Sequence, residues 1–199
     1  FVRKRKWERV ALHLAEPARK DGLYIAAESQ PDLWARAIQP ECTSPNTAPN
    51  CPNRDHPSFV AAFGLLPGTP NISQEHMRCT LDAVIEYWDL RQTWGWDWPM
   101  MAMTAARLGD GELAVNLLMP KLAKNFQFGV NGMTPRVHIA TDAAPDAGRS
   151  PDGPGYRRVA ETYFPSNGAL LLAVGMMAAT NRFPGDGWVV RSEGLIAPP

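Results

Sequence analysis

Two stretches of this 199-residue chain are apolar on every side of a helix: Met100 to Ala106, opened by Pro99, and Gly168 to Ala179. A helix without a polar face must be enclosed by other helices. The neighbouring segments have the pattern to enclose them. Lys4 to Ala15 carries Trp7, Val10, Ala11 and Leu14 at helical spacing before Pro17, and the segment after Ser73 puts Met77, Leu81, Val84, Ile85 and Trp88 on one stripe. Glu112 to Ala123 carries a partial stripe at Leu113, Leu117, Leu118 and Leu122, and Pro57 opens a short helix over Ser58 to Phe63 that Gly64 ends.

The order is therefore outer amphipathic helix, loop, enclosed apolar helix, three times over. It predicts an all-α fold of three helical hairpins over residues 1–199, with long loops around 31–51 and 125–165 and one short C-terminal strand at Trp188-Val189-Val190. The enclosed helices begin at Asp55-His56-Pro57, Asp97-Trp98-Pro99 and Pro165-Ser166-Asn167-Gly168. Two of the three share Asp-x-Pro, in which proline suits the first helical turn. If these helices run in one direction, all three entrances lie on one face.

Composition bounds the function. With 45% hydrophobic and 20% charged residues the chain reads as soluble and globular. Lys+Arg 20 against Asp+Glu 20 removes the electrostatic footprint that a nucleic-acid or acidic-membrane binder needs. The basic run Arg3-Lys4-Arg5-Lys6 reads as a solvated face, and the longest apolar run is about a dozen residues, short of the roughly 18–20 that span a bilayer. The chain opens on Phe1 without a leader pattern, which reads as a processed or internal piece.

Three cysteines leave one over if two pair. Cys42 and Cys51 flank a Pro/Asn-rich loop that a short disulfide could close, with the bridged and free forms both open, while Cys79 falls within a predicted helix. Asn71-Ile72-Ser73 is an N-glycosylation sequon after a Pro/Gly turn. Together these features point to a secreted protein. The histidines His13, His56, His76 and His138 are scattered and no metal-ligand spacing exists, so no metal is expected. There is no Gly-x-Gly-x-x-Gly or phosphate loop, so no nucleotide cofactor is expected, and no Gly-x-Ser-x-Gly.

Asp55-His56-Pro57-Ser58, the block Trp94-Gly95-Trp96-Asp97-Trp98-Pro99-Met100 with Ala102 to Gly109, Tyr163-Phe164-Pro165-Ser166-Asn167-Gly168 and Met176-Met177-Ala178-Ala179 carry a family resemblance. From about Gly22 onward the chain resembles the C-terminal part of six-hairpin glycosidases, related to the alpha-L-fucosidase and maltose-phosphorylase type toroids. The resemblance implies a double ring of six inner and six outer helices, of which three hairpins make about half of an (α/α)6 toroid. It implies a carbohydrate pocket at one end of the inner ring, and a partner in the N-terminal half of the same protein or a complementary chain. A half ring would otherwise expose a large apolar patch.

In that setting the chemistry needs carboxyl groups, one to protonate the leaving oxygen and one to activate water. Asp97 is the first catalytic candidate, at an enclosed-helix entrance beside three tryptophans; the alternative is a carboxylate that stabilises the helix dipole. Asp55 is the second, with His56 beside it as a substrate contact, against a role fixing the loop by hydrogen bonds. Trp94 and Trp96 offer flat faces to sugar rings, or pack in the core. Tyr163 could bond a sugar hydroxyl or pack. Asn167 lies where the fucosidase-like relatives place residues orienting the hydrolytic water, but their preceding Asp is absent here, and their general acid lies upstream of the matched segment.

The expectation is a glycoside hydrolase without cofactor, acting on an oligo- or polysaccharide. The alternative is a non-catalytic carbohydrate-binding or structural subunit with a degenerate glycosidase fold. A disaccharide phosphorylase would need a phosphate subsite that these residues do not show.

Overall fold

A computed structural model describes residues 2–43, 50–90, 93–119, 136–139, 156–160 and 163–179, with strands 136–139 and 156–160 given by their backbone pairing. Its elements are mostly helical: α1 (Val2–Ala11), α2 (Leu33–Ala37), α3 (Gln74–Tyr87), α4 (Asp97–Arg107), α5 (Gly111–Leu118) and α6 (Phe164–Ala179), with 3-10 turns at Pro52–Arg54 and Ser58–Phe63. Two small antiparallel hairpins accompany them, β1 (Arg19–Lys20) with β2 (Leu23–Tyr24) and β3 (Arg136–Ile139) with β4 (Tyr156–Ala160).

The described residues are mostly helical, as the all-α expectation had it, and the small two-stranded sheets are additions where loop was expected. The β1–β2 turn is Asp21-Gly22, both at positive φ (52° and 81°), as a tight two-residue hairpin turn requires. Within the long loop before α6, β3 and β4 pair Ile139 with Tyr156 and Val137 with Arg158, with an irregularity between Arg136 and Val137. The loop from Pro31 to Cys51 likewise contains α2. The strand expected at Trp188 to Val190 lies outside the described residues.

Three helices take the form their residues dictate. Ser73 caps α3, its hydroxyl accepting the His76 N–H, and Met77, Leu81 and Val84 are buried along the expected stripe. Every residue of α4 from Asp97 to Ala106 is buried, so this helix is enclosed as its composition demands. Asp110 caps α5, its carboxylate accepting the Leu113 N–H, and Arg78 of α3 donates to the same carboxylate at 3.2 Å. One ion pair thus ties α3 to the turn between α4 and α5. Thioethers are prominent in the interior, with Met77, Met100, Met101, Met103, Met176 and Met177 all buried, whereas Met119 is 59% exposed.

Other boundaries and burials differ from expectation. The first helix ends at Ala11 rather than Ala15, where the His13 ring Nδ1–H donates to the Arg9 carbonyl at 2.7 Å and closes the last turn. No residue of α1 is buried, so its apolar stripe is uncovered. The described part of α5 stops at Leu118, short of Ala123. Residues 58–63 wind as 3-10 rather than α-helix. Most informative is α6, expected to be enclosed. Ser166, Ala173, Met176, Met177 and Ala178 are buried, but Phe164 is 70% and Leu171 73% exposed. Among the described elements the helix packs chiefly on α4, along one side, since apolar surface is removed from water only where a partner lies.

Contacts between Ser58–Phe63 and α4 set the position of everything that follows. Thr104 Oγ1 donates to the Val60 carbonyl at 2.9 Å, and Arg107 Nε donates to the Gly64 carbonyl at 2.7 Å. A Cβ on Gly64 would fall 2.7 Å from the Thr104 backbone nitrogen, so only glycine allows this approach. The segment carrying Asp55 and His56 is thereby held against the start of α4.

Candidate functional site

The three helix entrances converge, as a common direction would require. His56, from the loop before Ser58, places its ring Nδ1 at 3.0 Å from both carboxylate oxygens of Asp97, the first residue of α4. A carboxylate only accepts, so Nδ1 carries the proton and Nε2 is left as the second polar atom of the ring. Asp97 Oδ2 also accepts the Trp94 N–H at 2.7 Å, while the Asp97 N–H donates to the Trp94 carbonyl at 3.0 Å. One side chain therefore closes the Trp94-to-Asp97 turn and orients the imidazole. The Asp97 side chain is 0% exposed against 28% for His56. The carboxylate stands behind the histidine, shielded from solvent.

Aromatic rings complete the cage. Trp96 lies 4.4 Å from the His56 ring at an interplanar angle of 33°, and Trp94 lies 5.6 Å away. Trp94 in turn meets Tyr163 at 5.8 Å, which brings in the third entrance. Asn167, in the first turn of α6, donates from both its backbone N–H and Nδ2 to the Tyr163 carbonyl, at 3.2 and 3.0 Å. Asn167 therefore holds the chain at Tyr163.

His56 also faces outward, into a cleft of about 420 Å³ whose walls include Gln30, Arg36, Asn50, Arg54 and Asp55. The floor is aromatic. Phe59 and Trp88 line it, and with Trp34 they form a triangle of edge-to-face rings 5.4–5.8 Å apart. Trp88 Nε1 donates to the Asp55 carbonyl at 2.7 Å, and the exposed Asp55 accepts the His56 N–H on its Oδ1 at 2.8 Å. Asp55 thus fixes the loop and presents a carboxylate to the cleft.

Sequence reasoning missed the outer wall. Arg36 comes from the 31–51 region expected to be loop, Gln30 from just before it, and Trp88 read as one more residue of the α3 stripe. It also missed Asn53, wholly buried beneath the cleft, whose Nδ2 donates to the carbonyls of Cys42 at 2.8 Å and Tyr87 at 2.6 Å. The only signal was its place between Cys51 and Asp55. Cys42 and Cys51 are bridged, with Cα atoms 5.4 Å apart, and the bridge closes the loop that carries Asn50 into the wall. Among the described residues no group of three His, Cys, Asp or Glu side chains is placed to hold a metal, and no helix is long and apolar enough to cross a membrane. No family model, no curated protein and no solved structure matches the chain.

Proposed function

We propose that this chain forms part of the active site of a glycoside hydrolase built on an (α/α) toroid, with His56 and Asp55 facing the sugar and Asp97 acting through His56. The observation that carries the reading is the Asp97-held imidazole opening onto a cleft with an aromatic floor and a polar rim. Aromatic faces suit the C–H surface of a pyranose, and rim groups suit its hydroxyls. Hydrolysis breaks the bond from the anomeric carbon to the bridging oxygen, which takes up a proton from a carboxylic acid supplied by the N-terminal half of the toroid, while water adds to the carbon. In this reading His56 Nε2 accepts the proton of that water, and the Asp55 carboxylate faces the positive charge that develops on the sugar ring.

Toroid architecture is supported by the enclosed α4 and by the bare Phe164 and Leu171 on α6, which a further set of hairpins, in the N-terminal half of the protein or a complementary chain, would cover. Secretion is supported by the Cys42–Cys51 bridge and by the exposure of Asn71 in its sequon. A second reading, a sugar-binding subunit without turnover, is favoured by one observation: Asp97 is buried, which leaves Asp55 as the single carboxylate among the residues lining the cleft.

Assay of the full-length protein against a panel of neutral and acidic oligosaccharides, reading both bound sugar and new reducing ends, tests the two together. Turnover that His56→Ala lowers about 100-fold or more supports the hydrolase. Saturable binding without new reducing ends would replace it by the binding subunit. Neither binding nor turnover would overturn both.

A further inference from the structure

One helix is left bare. Among the described residues none of α1 is buried, and its apolar stripe stands open, with Trp7 67%, Val10 45% and Leu14 55% exposed. Apolar groups in such a row leave water only if something lies along them. The Leu12 and His13 N–H groups still donate back to the carbonyls of Glu8 and Val10, which carries the winding on towards Leu14. At that end of the stripe stands Asn71, whose Nδ2 donates to the Leu14 carbonyl at 3.4 Å. The turn that presents it is fixed, since the Asn71 N–H donates to Thr69 Oγ1 at 3.3 Å and the Ile72 N–H to the Thr69 carbonyl at 2.9 Å. Asn71-Ile72-Ser73 is an acceptor tripeptide for N-glycosylation, and the nitrogen that takes the sugar in such a tripeptide is the same Nδ2. Asn71 is exposed, so a glycan has room to leave the surface there.

We propose that Asn71 carries an N-linked glycan whose inner sugars lie along Leu14, Val10 and Trp7 and cover the bare stripe of α1. The inference rests on the secretion reading, because glycan transfer belongs to the export route, and it adds the surface that the modification serves. Transfer forms a bond from Nδ2 to the anomeric carbon of the first sugar. The bond from that carbon to the diphosphate of a lipid-linked oligosaccharide donor breaks, the diphosphate leaves with the electron pair, and one amide proton is given up. The second amide hydrogen stays and still reaches the Leu14 carbonyl, which sets the direction in which the first sugar departs. The Ser73 hydroxyl, which the acceptor tripeptide needs, is taken in the fold by the His76 N–H, so transfer precedes the closing of the α3 cap. From Ala11 back to Trp7 is about 6 Å at the helical rise, a short span for an oligosaccharide. The surface also suits one: the indole and two aliphatic side chains meet the C–H faces of sugars, and Arg3, Lys6 and Arg9 of the same helix supply donors for their hydroxyls.

The test uses the full-length protein produced in a eukaryotic host, as wild type and as Asn71→Gln. Peptide mass spectrometry is expected to find a glycan on Asn71. Brief hydroxyl-radical exposure is expected to oxidise Trp7 about twofold or more slowly in the glycosylated protein than in Asn71→Gln, because one face of the ring is covered. Loss of the glycan should also lower the melting temperature, by an amount that Trp7→Ala reduces, as groups in contact do. Both substitutions fall at exposed positions, so the fold survives them. An unmodified Asn71 in exported protein would overturn this inference and leave the secretion reading standing. A glycan with Trp7 oxidised equally in both proteins would overturn the covering of α1, and a slow shared rate would give the stripe to another part of the protein or to a second copy. Protein found in the cytosol alone would overturn both readings.

Discussion

On the proposed hydrolase reading, asparagine in place of Asp97 will lower turnover by about two to four orders of magnitude while the protein stays folded. The carboxylate accepts from two donors at once, the His56 Nδ1–H and the Trp94 N–H. A carboxamide offers one oxygen and one nitrogen, so one of those donors must face an N–H. If the amide oxygen stays on Trp94, its nitrogen points at the imidazole and the ring proton moves to Nε2. The atom that should accept the proton of water then already carries one. Loss is expected in kcat with KM little changed, and nitrogen chemical shifts of His56 would report the exchanged tautomer. Unchanged kcat in a folded Asp97→Asn protein would remove the dyad from the mechanism. Asp97→Ala is the harsher variant, since it also leaves the Trp94 N–H without its acceptor in a buried setting.

The largest effect on stability is expected at Asn53 rather than in the apolar core. Its side-chain Nδ2 bonds the carbonyl of Cys42 at 2.8 Å and of Tyr87 at 2.6 Å, while its backbone carbonyl accepts the Asp89 N–H at 2.9 Å, a bond that alanine would keep. The end of α3 and the bridged loop therefore meet on one side-chain amide. Asn53→Ala leaves two carbonyls without that donor and should cost about 2–4 kcal/mol. For a chain of this length that lowers the melting temperature by roughly 5–15 °C. Replacing Cys42 and Cys51 by serine opens a nine-residue separation and should cost about 2–3 kcal/mol, without adding fully to the Asn53 change because the two share the Cys42 carbonyl. Calorimetric melting of the variants and their combination checks both values. A loss below about 1 kcal/mol for Asn53→Ala would mean that water replaces the amide.

What could be read in the sequence was set by local rules. Ser73 as a cap, the stripe of α3 and the enclosure of α4 follow from periodicity and from hydrogen-bonding chemistry within one turn. The meeting of Asp55-His56, Trp94 to Asp97 and Tyr163 was legible in outline, because three proline-marked entrances pointed to one face. The pairing of His56 with Asp97 was not, for it spans 41 positions and depends on the close approach that Gly64 allows. The same limit hid Asn53, Arg36 and Trp88, whose roles exist only once the bridged loop and α2 lie against α3. Burial of Asp97 was also out of reach, since an aspartate at the start of a helix is ordinarily solvated. The end of α1 was misjudged because a histidine side chain, not a proline, closes it.

The thioether filling gives the molecule a built-in chemical clock. Methionine sulfur is oxidised to the sulfoxide wherever peroxide can reach it. In dilute peroxide, Met119 should convert first among the described methionines and serve as the reference, while Met101, Met103 and Met177 convert only as fast as the fold opens around α4. Each buried sulfoxide then leaves a polar oxygen where α4 must close. Damage would therefore run in one direction, from rare opening to permanent loosening, and peptide mapping over time would date it residue by residue.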